Sequence, residues 1–193
     1  MRPQGITVER VLARIAERSH GVVTRDELLD AGVTRAEIKW RVKTGALIRV
    51  HRGVYRVGHR APSVEATYLA AVKACGEGAV LSGRAAAHLL GLIKGAPPPP
   101  EVTAPSLRRV PGVRTRRSER IEAKTFNRIP VTTVPRILVD VAAHLTLDAL
   151  ARACHEAGVK TARHHCTSKR CSPEAAGRKA PASSASSCAA TSP

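Results

Sequence analysis

The chain has 193 residues, with 32 Lys and Arg against 15 Asp and Glu, a formal charge of +17 and 43% apolar residues. That length holds one domain or two small ones and excludes a large multidomain enzyme, while the apolar fraction suffices for a packed core. Aromatics make up only 2%, too few for the exposed rings on which single-stranded bases stack.

From the N-terminus, Val8, Val11, Leu12, Ile15 and Ala16 recur at spacings of three and four and predict an amphipathic helix over Thr7 to Ser19, ended by His20-Gly21. Thr24-Arg25-Asp26-Glu27 is a capping-box sequence that opens a short second helix with Leu28, Leu29 and Ala31 on its apolar face, stopped at Gly32. A second box, Thr34-Arg35-Ala36-Glu37, opens a third helix that turns Ile38 and Val42 inward and closes at Gly45. Leu47 to His51 and Val54 to Val57 are β-rich runs joined at Arg52-Gly53, which predicts a hairpin. Three short helices followed at once by a basic hairpin are the order of a winged helix-turn-helix.

Further along, Ser63 to Cys75 and Ser82 to Leu92 read as Ala- and Leu-rich helices, with the two serines as N-caps and Gly76 and Gly91 as terminators. Pro97 to Pro100 break the pattern. Beyond them, Glu101 to Ala104 and Val113 to Ser118 read as strands, and Arg136 to Ala143 and Leu147 to Glu156 as helices. From Lys160 to Pro193 there is no Val, Ile, Leu, Met, Phe, Tyr or Trp among 34 residues, so a disordered tail is expected over 161–193. Its abrupt onset and its Ala, Arg, Ser, Pro, Cys and His composition are those of GC-rich DNA read out of frame. A frameshifted or truncated product is the expectation there, and retranslating the gene after codon 160 in the other frames tests it.

No apolar run approaches the ~18 residues of a membrane span, and Ala85 to Ile93, the richest, is interrupted by His88. Glu9, Arg10, Arg14, Glu17 and Arg18 break up the N-terminus, so no signal peptide is read and a cytoplasmic location is expected. Five cysteines, three of them at 166 and beyond, make a poor disulfide framework.

The charge is unevenly placed. Residues 1–60 carry 13 basic and 6 acidic groups, residues 108–128 carry 8 and 2, and residues 162–193 carry 5 and 1, whereas the stretches between them are neutral. Cationic blocks separated by neutral segments are the footprint of faces that meet phosphate; Arg-rich solvated faces are the plainer alternative. In the first block the inward Ile38 and Val42 leave Ala36, Lys39, Trp40 and Lys43 on or near the outer face of the third helix, with Thr34 and Arg35 at its N-terminal end. Arg49, His51, Arg52 and Arg56 of the hairpin then lie along the backbone or in the minor groove as a wing. The expected DNA-contacting set is therefore Thr34, Arg35, Lys39, Trp40, Lys43, Arg49, His51, Arg52 and Arg56. Trp40 has a second reading, as a ring packed against the second domain. The block of Arg108, Arg109, Arg114, Arg116, Arg117 and Arg120 has three: an extension of the DNA track, a surface for an acidic protein, or plain exposure.

No nucleophile elbow, phosphate-binding glycine loop or His-Glu-x-x-His motif is present. Asp140, Asp148 and Glu156 read as helix acids, Asp148 in a first turn where the dipole favours it. Cys154-His155 and His164-His165-Cys166 with Cys171 are zinc-ligating residue types, but their spacing fits no ordinary knuckle and chance explains them better. No catalytic residue, metal or cofactor is expected.

The run Val22-Val23-Thr24 to Leu28, Ala31-Gly32-Val33 and, above all, Gly45-Ala46-Leu47-Ile48-Arg49-Val50-His51-Arg52-Gly53-Val54-Tyr55 resembles the N-terminal winged-helix domain of the AbiEi-like type IV antitoxin family of actinobacteria. Leu81-Ser82-Gly83-Arg84-Ala85-Ala86-Ala87-His88-Leu89-Leu90-Gly91-Leu92 and Ile129 to Asp140 are similar to the middle region of its longer members. The resemblance implies a transcriptional repressor that binds DNA and, in antitoxins, represses its own operon. Longer relatives carry a C-terminal domain similar to very-short-patch-repair endonucleases; this chain changes character before such a domain begins, so no nuclease activity is carried over. Trp40 departs from the basic residue that relatives tend to have there.

The expected architecture is thus α+β: a winged helix-turn-helix over 1–60, a small mixed α/β domain over 61–160 for partner contact or dimerisation, and a disordered tail. Double-stranded DNA is the expected partner, with a toxin-like protein or a second copy of the chain beside it, and no membrane. Two rivals are a truncated remnant of an endonuclease protein that has lost its catalytic domain, and an interaction protein whose basic blocks neutralise an acidic partner.

Overall fold

Two Thr-x-x-Glu boxes shape the start of the fold. The computed structural model describes residues 8–58 and 63–169, with side chains as far as residue 160. In α2 (Arg25–Asp30) the Thr24 hydroxyl accepts from the Glu27 N–H at 3.1 Å while the Glu27 carboxylate accepts from the Thr24 N–H at 2.8 Å. Thr34 and Glu37 repeat the exchange at the head of α3 (Arg35–Lys43), at 3.3 and 2.8 Å. Each box satisfies donors that an open helix end leaves unpaired. The amphipathic α1 (Val8–Arg18) buries Val8 and Leu12 against Leu28, Val33, Ile38 and Leu47, which fixes the three helices around one small core.

β2 (Leu47–His51) and β3 (Val54–Val57) form the expected hairpin, with Gly53 at φ 75 in its turn. β1 (Val22–Thr24), which the sequence pattern did not mark as a strand, pairs with β3 on its other side. The sheet order is therefore β1-β3-β2, all antiparallel, and the N-terminal part is the winged type expected.

α4 (Val64–Cys75) begins at Ser63, whose hydroxyl accepts from the Ala66 N–H at 3.0 Å. It buries Ala66, Leu69, Ala70, Ala71, Val72 and Cys75, among which the three alanines let the helix lie close to its neighbours. Its Tyr68 hydroxyl, buried, donates to the Pro98 carbonyl at 3.0 Å and so anchors the proline-rich break. A five-stranded sheet follows, built from β4 (Val80–Leu81), β5 (Glu101–Ala104), β6 (Arg114–Arg117), β7 (Ala123–Phe126) and β8 (Ile129–Thr132) in the order β6-β5-β4-β8-β7. The β4–β8 and β5–β6 pairs are parallel and the others antiparallel. Of these strands only β5 and β6 were expected.

The helix after β4 is shorter than expected: α5 (Gly83–Leu89) stops before Gly91. Ser82 stands at its N-cap position, but its hydroxyl accepts from Thr103 at 2.9 Å and does not cap the helix. α6 (Val134–Ala142) and α7 (Leu147–Lys169) complete the chain. α7 stays helical to Lys169, past the expected end at Glu156, so the expected tail of 161–193 starts inside a helix. The rest of that tail, residues 170–193, lies outside the described residues, as do Cys171 and the side chains of His164, His165 and Cys166.

The expected boundary at residue 60 also falls outside the described residues, among 59–62. On either side of it the structure is tied together. Val22 and Val54 belong to the same buried cluster as α4, β4, β5 and β8. The Lys73 ammonium of α4 donates to the Val22 carbonyl at 3.2 Å and to Glu27 at 2.7 Å. Near α1, the Arg128 guanidinium donates to the Glu17 carbonyl at 2.7 Å, and His20 Nε2 lies 2.6 Å from the Asn127 carbonyl. The described residues up to Ala157 form one compact unit.

Candidate nucleic-acid interface

Helical geometry sorts the side chains of α3. Steps of about 100° carry Ile38, Arg41 and Val42 to the inner side and Lys39, Trp40 and Lys43 to the outer. Accordingly Ile38 and Arg41 are buried, and Arg35, Lys39, Trp40 and Lys43 are exposed. Of the two readings of Trp40, the structure favours the outward one: the residue is 59% exposed. Beneath it lies Arg41, whose guanidinium carbon is 5.7 Å from the ring centroid and whose terminal nitrogen pairs with Glu9. This arginine tethers the outer helix to α1 and steadies the indole, a role its position in the sequence did not disclose.

Thr34 is exposed, but its hydroxyl is committed to the capping box, donating to the Glu37 carboxylate at 2.8 Å and accepting from the Glu37 N–H. Its proton is therefore not offered to a phosphate, and a ligand meets its methyl group or the remaining lone pair of the oxygen. The Glu37 carboxylate also sets a negative charge at the N-terminal end of α3, where a phosphate would otherwise be favoured.

In the hairpin, Arg49 on β2 and Arg52 in the turn are exposed. His51 is half-buried, and that burial pushes its pKa below the usual imidazole value, so the ring is neutral at pH 7. Arg56 differs from the other arginines: it sits on the central strand β3, in register between Val22 and Ile48, and its buried Nε has no hydrogen-bond partner. Part of that side chain belongs to the sheet, not to an outward face.

A cleft of about 330 Å³ between α3 and the hairpin brings Arg35 and Lys39 together with Arg49, floored by Ile38 and Tyr55. Arg25, from the first turn of α2, joins them. Sequence reasoning passed over Arg25 because it reads as a spacer inside the capping box; only the turn of the chain between β1 and α2 brings it to the hairpin, where its N–H donates to the Gly53 carbonyl at 2.7 Å. Among the described residues none of Arg25, Arg35, Lys39, Lys43, Arg49 or Arg52 has a carboxylate at ion-pairing distance. Like charges held together without internal compensation are repulsive, and an external polyanion relieves them.

The later basic block behaves differently along its length. Arg114 pairs with Glu101 at 3.7 Å, Arg116 with Asp140 at 3.1 Å and Arg117 with Glu119 at 3.3 Å. Asp140 also holds Arg136 at 3.2 Å and thus serves as an ion-pair centre between β6 and α6. Among the described residues no three His, Cys, Asp or Glu side chains converge as a metal centre would require. No helix among them is long and apolar enough to cross a membrane.

Residues 10–58 match the family model of transcriptional regulators described as AbiEi antitoxins. The matched span runs from α1 to the end of the hairpin and includes every anticipated contact residue from Thr34 to Arg56. None of the curated proteins matches the chain.

Proposed function

We propose that this chain is a cytoplasmic, non-enzymatic transcriptional repressor that binds double-stranded DNA, as an antitoxin of its own operon, with a toxin-like protein or a second copy as protein partner. The observation that supports this reading best is the meeting of Arg35 and Lys39 of α3 with Arg49 of the hairpin and Arg25 of α2 in one cationic cleft, with no carboxylate at ion-pairing distance among the described residues. That cleft lies inside the span that matches the regulator family. In this reading α3 enters the major groove, Lys39 and Lys43 face base edges or phosphates, Trp40 lies against the sugar-phosphate wall, and Arg49 and Arg52 follow the backbone. Arg35 donates to a phosphate at the groove entrance; Thr34 and Arg56 support the helix end and the sheet, and His51 offers a neutral ring nitrogen.

Titrating the protein onto the DNA upstream of its own gene and onto a random duplex, over a range of salt, tests the proposal. Tight binding to the upstream DNA and much weaker binding to the random duplex, both weakening steeply with salt, are expected. Equal, weak binding to both duplexes overturns the repressor assignment.

A further inference from the structure

The α3 cleft is not the end of the unpaired positive charge. Arg25 and Arg49 border it and also border a second, larger groove of about 960 Å³. The turn residue Arg52 lines this groove too, and so do Arg108 and Arg109, from the loop before β6 that lies far along the chain. None of these five arginines has a carboxylate at ion-pairing distance among the described residues, in contrast to Arg114, Arg116 and Arg117 a few positions on. The basic block thus divides into a compensated half on β6 and an uncompensated half turned to the hairpin.

Arg108 is seated there. Its guanidinium lies over Gly76, where a Cβ would meet the guanidinium carbon at 3.1 Å, and Gly76 has φ +96, so the glycine that ends α4 leaves the room the arginine occupies. The groove's other cation, Lys73, is neutralised by Glu27. Asp26 and Glu77 are the acids on its border, which leaves the five arginines in excess.

We infer that Arg108 and Arg109 form a second phosphate-gripping surface, so that the backbone of one duplex runs from the α3 cleft past the hairpin and into this groove. The inference rests on the DNA-binding reading above. A duplex fits better than an acidic peptide because the two clefts share Arg25 and Arg49 and together gather guanidinium groups from four elements, a suitable match for the repeated phosphates of a nucleic-acid backbone. It also gives the five-stranded half of the molecule a part in DNA binding that the family-matched span alone does not contain.

The test is the salt dependence of binding by the full chain, read by fluorescence anisotropy on a random duplex. Each phosphate contact contributes about 0.9 to the slope of log K against log salt, so Arg108→Ala with Arg109→Ala flattens the slope by about 2 units. Replacing both by Lys retains most of the slope, and Arg114→Ala with Arg117→Ala leaves it unchanged. Thermal melting of each variant confirms that it is folded. If the double Ala variant keeps the full slope while Lys39→Ala with Lys43→Ala loses it, the groove does not hold DNA although the winged part does. If poly-glutamate binds through Arg108 and Arg109 while the duplex slope is untouched, the groove serves a protein and the inference is overturned. Absence of duplex binding by the unaltered chain brings down both readings together.

Discussion

Lys73 and Glu27, which stand far apart in the sequence, meet with the ammonium 2.7 Å from Oε1 and 2.8 Å from Oε2 of the carboxylate. The same carboxylate caps α2 through the Thr24 N–H, so one side chain closes a helix and holds α4 against it. Burial alone raises the pKa of Glu27, but hydrogen bonds from Lys73 and from the Thr24 backbone, with the charge of Lys73, outweigh it and hold the pKa below the ordinary 4.5. The folded state therefore binds the proton less readily than the unfolded chain does. The contribution is fully present above the unfolded value and is lost as pH falls through the folded one.

Glu27→Gln is expected to cost about 2 kcal/mol at pH 7, the loss of a partly exposed pair plus part of a cap. Urea denaturation at pH 7 and pH 4 checks it: the gap between variant and parent narrows at the lower pH. An equal gap at both values would show that the ionised carboxylate is not the source.

Replacing Lys39 and Lys43 by Ala removes two cations from the exposed side of α3 without touching its core. DNA affinity falls and the salt slope flattens by about 2 units, while the urea midpoint stays in place. Unchanged affinity would mean that α3 faces away from the duplex.

Trp40 is the one tryptophan of the chain, and the residue is 59% exposed, so its fluorescence reports on α3 alone. Emission of the free protein is expected close to that of tryptophan in water, with ready quenching by iodide. A duplex in the α3 cleft shields the ring and reduces that quenching; quenching that is identical with and without bound DNA contradicts the docking proposed.

His51 carries a second pH signature. Burial lowers its pKa from the ordinary 6.5, so acidification protonates the unfolded chain first and takes stability from the fold as pH drops below that value. A nearby phosphate has the opposite effect on the ring, so binding draws in a proton and DNA affinity rises between pH 7 and pH 5.5. His51→Gln abolishes this part of the pH dependence; a pH profile unaltered by the substitution removes His51 from the interface.

Gly76 is at φ +96 and ψ −169, a region that only glycine occupies readily, and a methyl there would press on the Arg108 guanidinium at 3.1 Å. Gly76→Ala is expected to cost about 2 kcal/mol of backbone strain and to displace Arg108. A thermal melt shows the first effect and a flatter salt slope the second.

What could be read from the chain was what depends on near neighbours. The Thr24 and Thr34 boxes and the Arg52-Gly53 turn are settled within a few residues, and they appear where the sequence places them. β1 is three residues long with no alternation to mark it and exists because β3 pairs with it. β4 is two residues, defined by partners from β5 and β8. The β7–β8 turn uses Asn127 and Arg128 at φ 46 and 64, without the glycine that signals a tight hairpin. At the site, the exposure of Lys39 and Lys43 follows from helical periodicity. The separation of Arg108 and Arg109 from Arg114 and Arg116 does not, because it depends on where the fold brings Glu101 and Asp140.

The bonds from Arg128 to the Glu17 carbonyl and from Lys73 to Glu27 clasp the three-helix part at two points, one on α1 and one on α2. With Val22 and Val54 sunk in the core around α4, the winged half has no way to melt first and leave the larger sheet standing. A calorimetric scan of the described body should trace a single endotherm, one cooperative transition in which both halves are lost at the same temperature.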